Sequence, residues 1–333
     1  MKKIAIFLVA LITMCSMCLI GCGDNDNTIR VNEVTHSIFY APLYIAINNG
    51  YFEDEGLKIE LTNGGGADTS MTALLSGDAD IGLMGPEAAI YVVKGDSKTK
   101  PVVFGQLTKR DGSFLVSKTN DVNFDWTSLA GKTIIGGRRG GVPAMTLQYV
   151  IESAGLTIGT GAGEVNLRTD VPFNETASVF DTTDADYCTL FEPNATQLCT
   201  EKNYYIVDSV GSASGEVPYT AFMATEKYLE KNADKAEKFL KAVMRGYNYL
   251  KTARPEQIAT AIAPSFAGVS TNDLVNAINQ YIAIDAWMNT PVMQESAFDR
   301  LQDIMINAGE LDTRVNFGKV VDNTIAQRVM NSL

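Results

Sequence analysis

The sequence predicts an α/β fold of two lobes, each a parallel-rich sheet flanked by helices, joined by a two-strand hinge. The chain repeats itself. At an offset of about 106 residues Ile59-x-Leu61 falls on Val165-x-Leu167, and Asp78-Ala79-Asp80 falls on Asp184-Ala185-Asp186. Each half reads strand, helix, strand, helix, strand, and alternation of this kind builds parallel sheets covered on both faces. Four helices that follow strands open with a proline near their first turn, at Pro42, Pro86, Pro143 and Pro193. A proline there loses no hydrogen bond. The free N–H groups of those helix ends then point toward one cleft.

Taken in order, the chain opens with an address. Lys2-Lys3, the apolar run 4–12 and the small residues before Cys22 have the charged, apolar and cleavage regions of an export signal, too short for a membrane span. Leu19-Ile20-Gly21-Cys22 is similar to a bacterial lipobox, which makes residues 1–21 a lipoprotein signal peptide and Cys22 the lipidation site. Residues 22–27 are then a polar, lipid-anchored tether.

Segments 29–34 and 42–49 lead into the first βαβ unit, and 133–136 and 143–154 lead into the second. The runs 102–106 and 114–116 straddle a polar turn, 109–112, that reads as the first crossing between lobes; a second lies near 211–222. Amphipathic helices over 224–252, 255–263, 271–284 and 295–308 are expected to return and cover the first lobe. The division is 28–112 for the first part of lobe 1, 113–216 for lobe 2 and 217–333 for the helical C-terminal part of lobe 1. Two crossings permit hinge closure. Cys188 and Cys199, in a strand and the helix after it, are expected to be buried free thiols, although a bridge between them is geometrically open.

Composition narrows the function. Of 333 residues 46% are hydrophobic, enough for one large core or two ordinary ones. Lys and Arg number 27 against 39 Asp and Glu, so nucleic acid is repelled at long range and is not an expected partner. His36 is the one histidine, which leaves no second for a zinc site and makes any His-dependent triad rest on it alone. No metal and no cofactor is expected.

Three stretches carry a family resemblance: Ala41-Pro42-Leu43-Tyr44-Ile45-Ala46 with Asn49-Gly50-Tyr51-Phe52-Glu53-Asp54-Glu55-Gly56-Leu57; Leu74-Leu75-Ser76-Gly77-Asp78-Ala79-Asp80-Ile81-Gly82; and Leu129-Ala130-Gly131-Lys132-Thr133. They resemble the solute-binding proteins of ABC importers, in the group that serves thiamine-pyrimidine precursors, riboflavin, nitrate, sulfonates and taurine. The likeness covers nearly all of 28–333. It implies a periplasmic-binding-protein-like fold of type II and a transport protein, not an enzyme. Such a protein closes on a small-molecule solute and docks on the transmembrane subunits of a permease. With the lipobox, it implies a monomer held by its lipid anchor on the extracytoplasmic face of a bacterial cell membrane. Fungal pyrimidine synthases share the fold but use iron, a lysine, a histidine and a cysteine-rich run. No cysteine cluster exists here, and catalysis is not expected. A solute-sensing ectodomain would have the same sequence footprint.

Candidate ligand residues stand at strand ends. They are His36, Phe39 and Tyr40 after the first strand, Gly85, Pro86 and Glu87 after the third, Arg138, Arg139 and Gly140 in the glycine-rich turn of lobe 2, and Phe191 and Glu192 beyond its third strand. His36 is equally readable as a strand-end histidine bonded to backbone. Phe39 and Tyr40 cannot both face the core, so at least one belongs to the cleft. The arginines are open to two readings, an anion partner or a solvated pair. Glu87 and Glu192 would repel an anion and favour a neutral or cationic ring, with Phe173, Tyr187, Tyr219 or Trp287 stacking on it; Glu87 is also readable as a helix N-terminal acid complementing the dipole. The expected solute is a thiamine-precursor-like pyrimidine or related aromatic heterocycle, with an alkylsulfonate, taurine or nitrate as the alternative.

Overall fold

The structure, a computed structural model, describes residues 27–332. The signal peptide, Cys22 and the tether as far as Asp26 lie outside them. Among the described residues the strands are β1 (Thr28–Glu33), β2 (Lys58–Asn63), β3 (Ile81–Met84), β4 (Pro101–Thr108), β5 (Ser113–Ser117), β6 (Thr133–Ile135), β7 (Asn166–Arg168), β8 (Tyr187–Phe191), β9 (Tyr205–Ser209) and β10 (Thr220–Thr225). They form two sheets of one design, ordered β2-β1-β3-β10-β4 and β7-β6-β8-β5-β9.

The repeat read from the sequence pairs β2 with β7 and β3 with β8, and its Asp-Ala-Asp motif has a structural cause. Asp80 accepts from the backbone N–H of Arg30 at 2.9 Å and from its guanidinium at 2.7 and 3.0 Å. Asp186 likewise accepts from the Thr133 N–H at 2.9 Å and from Lys132 Nζ at 3.1 Å. In both lobes the last acid of the motif pins the third strand to the start of the first. That register sets which strand ends reach the cleft.

The sheets are mixed where a parallel arrangement is expected. β1, β2 and β3 pair in parallel, as do β6, β7 and β8, but β10 runs antiparallel to β3 and β4, and β5 antiparallel to β8 and β9. The crossings explain it. β4 ends at the cleft, residues 109–112 pass over, and β5 begins at the cleft and runs away from it; β10 does the same on the return. The two crossings are bonded to each other, Val217 N to Lys109 O at 2.9 Å and Tyr219 N to Thr108 O at 3.2 Å. Buried Asp111 accepts from Ser113 N at 2.7 Å, Ser113 Oγ at 2.6 Å and Thr146 Oγ1, which ties the crossing to the helix Val142–Ser153.

Helix Ala41–Asn48 is buried over Ala41 to Ala46 because the long helix Glu226–Thr252 covers its outer face. The approach is so close that a Cβ on Gly246 would stand 2.1 Å from Pro42 O. The later helices do not cover the first lobe alone. Thr271–Ala283 packs on the second-lobe helix Asn194–Lys202, and Glu295–Asn307 touches both Glu87–Lys94 and Val142–Ser153. Their apolar faces fill the seam between lobes: Tyr281 is fully buried there, its hydroxyl donating to Gly112 O at 3.1 Å and accepting from Glu192 N at 3.0 Å. A last helix, Thr324–Ser332, which no sequence signal singled out, packs on Glu226–Thr252. Cys188 and Cys199 are free thiols, the first buried and the second half-buried.

Candidate functional site

A cavity of about 530 Å³ lies between the lobes, where the parallel strands of both sheets end. Its size is that of a small-molecule site, and the position is where open α/β sheets bind ligands. Helix Ala67–Ser76 presents Met71 and Leu75 to it, helix Glu87–Lys94 presents Ala88 and Val92, and Val142 and Pro143 open the helix from the other lobe. Tyr40, Phe173, Phe191 and Tyr219 make the aromatic part of the wall. Phe191 stands edge-on to Phe173 at 6.1 Å and tilted to Tyr219 at 6.2 Å. The wall offers a flat ring apolar surface on several sides.

Three acids line this space, Asp68, Glu87 and Glu310, and of them Glu87 is the buried one. Glu87 sits at the first turn of its helix behind Pro86, is 2% exposed, and its Oε2 has no hydrogen-bond partner. The carboxyl folds back over Gly85, where a Cβ would stand 1.9 Å from Oε2, so a side chain at this position would push the carboxyl from its place. Burial pushes the carboxyl up to about 7, opposed by the N–H groups of Glu87, Val142 and Ala88. At neutral pH the group therefore offers both an acceptor and, in part, a donor.

The rim is closed by contacts across the lobes. Arg138 makes a two-pronged pair with Asp68, Nη1 to Oδ1 at 2.9 Å and Nη2 to Oδ2 at 3.1 Å. Arg139 pairs with Glu310 at 3.2 Å, and Tyr91 donates its hydroxyl to Gly140 O at 2.9 Å. Both arginines line the cavity with solvent-exposed side chains, and each is engaged by a carboxylate, Arg138 by Asp68 and Arg139 by Glu310. Arg138 in turn holds the Asp68 carboxyl below the usual carboxylate range, against its partial burial.

The structure brings Tyr40, Gly85, Glu87, Arg138, Arg139 and Gly140 to the cavity, with Phe173, Phe191 and Tyr219. It places six other sequence candidates elsewhere. His36 turns back behind β1, with Nδ1 2.7 Å from Glu33 Oε1 and Nε2 2.8 Å from Ser265 O; Glu33 raises its pKa, and Tyr44 donates to the same carboxylate at 2.5 Å. Phe39 is fully buried, packed behind Phe191 and Tyr219 and against Tyr281. Trp287 is core, its Nε1 donating to Phe39 O at 2.8 Å. Pro86 serves as a helix cap. Glu192 is buried with both oxygens taken, Oε2 by Thr196 N at 2.9 Å and Oε1 by Thr196 Oγ1 at 2.8 Å. Tyr187 belongs to the second-lobe core beside Phe124.

Sequence reasoning missed Asp68, Tyr91 and Glu310. Tyr91 lies one helical turn beyond Glu87, a spacing that would have placed both on one face. Glu310 follows a helix whose tertiary position no local pattern reports.

Residues 38–258 match the family model described as NMT1/THI5 like. YtlA of Bacillus subtilis (strain 168), named as a candidate binding protein, is 37% identical over 301 residues, 90% of this chain and 89% of that one. The periplasmic nitrate-binding protein NrtA from Synechocystis PCC 6803 superposes with a TM-score of 0.72 at 15% identity, over 93% of this chain and 89% of NrtA. The alkanesulfonate-binding protein SsuA from Xanthomonas axonopodis pv. citri, bound to MOPS, gives 0.71 at 13% identity, over 89% and 98%. At those identities the two structures speak for the fold alone.

Proposed function

Because the chain belongs to the NMT1/THI5-like family, we propose that it is the extracytoplasmic solute-binding lipoprotein of an ABC importer, carrying a thiamine-precursor-like pyrimidine or related aromatic heterocycle. The observation that carries the ligand class is the buried Glu87 carboxyl with its unpartnered Oε2, in a cavity whose other charged lining residues are paired with one another at the rim and whose remaining wall is largely apolar and aromatic. A ring with an exocyclic amine satisfies Oε2 and stacks on Tyr40, Phe173 or Phe191 in one pose. The solute is held, not transformed: the thiols lie in β8 and the helix after it, and His36 is engaged behind β1. The lipid anchor at Cys22, a monomeric state and delivery to a permease by lobe closure complete the reading. Its lobes are 28–112 with 217–333, and 113–216.

The second reading is an alkylsulfonate, taurine or nitrate; nitrate and alkanesulfonate are the solutes in the names of two proteins that share the fold. A thermal-shift panel on the purified protein separates the two. Pyrimidines, thiamine, flavins, alkylsulfonates, taurine and nitrate are each added well above the expected Kd; a ligand at a hundred times its Kd adds about 2.7 kcal/mol. The expected result is a shift with an amino-substituted heterocycle. A shift with sulfonate or nitrate alone would transfer the function to the second reading.

A further inference from the structure

Two helix N-termini converge on one point of the cavity, that of Glu87–Lys94 from the first lobe and that of Val142–Ser153 from the second. Each presents first-turn N–H groups and the positive pole of a helix dipole, so their common complement is an anion. That position is already filled from within the chain. The Glu87 carboxyl lies over Gly85, among the N–H groups of Glu87, Ala88 and Val142, with its Oε2 buried and unpartnered. The other cationic groups of the cavity, Arg138 and Arg139, are engaged by Asp68 and Glu310.

From this juxtaposition we infer that Glu87 is the specificity-determining residue of the cavity: its carboxyl is a built-in occupant of the place between the two helix N-termini, excluding the acidic group of a solute and offering Oε2 to an N–H group instead. The inference rests on the reading that this cavity is the solute site. The equivalent acid of the second lobe shows what Glu87 is not. Glu192 has both oxygens on Thr196 and no face on the cavity, so it can only cap its helix. A consequence separates the inference from simple repulsion. Removing the Glu87 side chain should uncover an anion site that the wild type keeps covered, because the N–H groups of both helices then face an open space.

The test is titration calorimetry of the purified wild type, Glu87→Ala and Glu87→Ala/Arg138→Gln with sodium acetate, methanesulfonate and nitrate, folding being checked by circular dichroism. The wild type is expected to give no binding heat, and Glu87→Ala to bind acetate or methanesulfonate at least tenfold more tightly, with that gain kept in the double variant. Equal anion affinity in wild type and Glu87→Ala would overturn the inference; so would loss of the gain with Arg138→Gln, which would assign the anion to the arginine. Should Glu87→Ala fail to fold, Glu87→Ser carries the same titration. An amino-heterocycle titrated in parallel keeps the two readings apart. Anion gain without wild-type heterocycle binding removes the proposed ligand class and leaves the inference; heterocycle binding with no anion gain does the reverse.

Discussion

Glu87 and Glu192 stand at corresponding junctions of the two lobes, each beside the proline that opens a helix toward the cleft. Both are buried, and in both burial pushes the carboxyl up to about 7. Their partners differ. Glu192 is answered by the N–H and hydroxyl of Thr196 within its own helix, whereas Glu87 keeps an oxygen with no partner on the cavity. Equal burial and equal titration thus conceal different roles. An acid satisfied inside its own lobe holds that lobe together; one left unsatisfied in a cleft is available to a solute.

The largest expected effect is on pH dependence. Both carboxyls rise from 4.5 in the unfolded chain to about 7 in the fold, so the stability they contribute is fully present below pH 4.5 and lost as pH climbs through 7. Between pH 5 and pH 8 each should lower the unfolding free energy by about 2 kcal/mol, read by urea denaturation. Glu87→Gln and Glu192→Gln should each remove one such share. Asp111, pushed to about 6 by burial, acts in the same direction in every variant and cancels from the difference. Saturating amino-heterocycle should change the share of Glu87 and leave that of Glu192. An unchanged pH profile in both variants would break the comparison at its base.

Next in size is the cost of truncation. At pH 6 Glu192→Ala should destabilise by about 1 to 2 kcal/mol, because two buried donors of Thr196 lose their acceptor. Glu87→Ala, which removes an oxygen without a partner while uncovering the N–H groups beside the carboxyl, should cost less than Glu192→Ala in the same urea experiment. A smaller effect sharpens the contrast between floor and rim. Asp68→Asn weakens the exposed pair with Arg138, and exposed pairs are worth up to about 1 kcal/mol. Solute affinity should therefore fall by no more than about fivefold, through faster dissociation in stopped flow. A larger loss would move recognition from Glu87 to the rim.

Much of this fold is written in local pattern. The Asp-Ala-Asp repeat, the four helix-opening prolines and the alternation of elements are short-range, and each has a local cause in the structure: strand pinning, helix capping and burial of one face. The antiparallel β5 and β10 were not legible, because strand direction depends on which side of the cleft the chain re-enters. Nor was the bridging of both lobes by Thr271–Ala283 and Glu295–Asn307, since amphipathicity marks a buried face and not its partner. The site divides in the same way. Phe39 and Tyr40 are neighbours of like character, yet one lies behind the wall and the other in it. Trp287 is drawn from the cavity by a backbone carbonyl far away in sequence. Glu192 alone carried a readable sign of its role, the threonine one turn later.

The most direct test is calorimetric titration of the wild type, Glu87→Gln and Glu192→Gln with the amino-heterocycle that gives the largest thermal shift. Loss of one hydrogen bond from a buried carboxyl is worth about 1 to 3 kcal/mol. Glu87→Gln should accordingly weaken binding about tenfold or more, with Glu192→Gln within about twofold of wild type. Equal losses in the two variants, or a loss in Glu192→Gln alone, would contradict the assignment of Glu87 as the group that reads the solute.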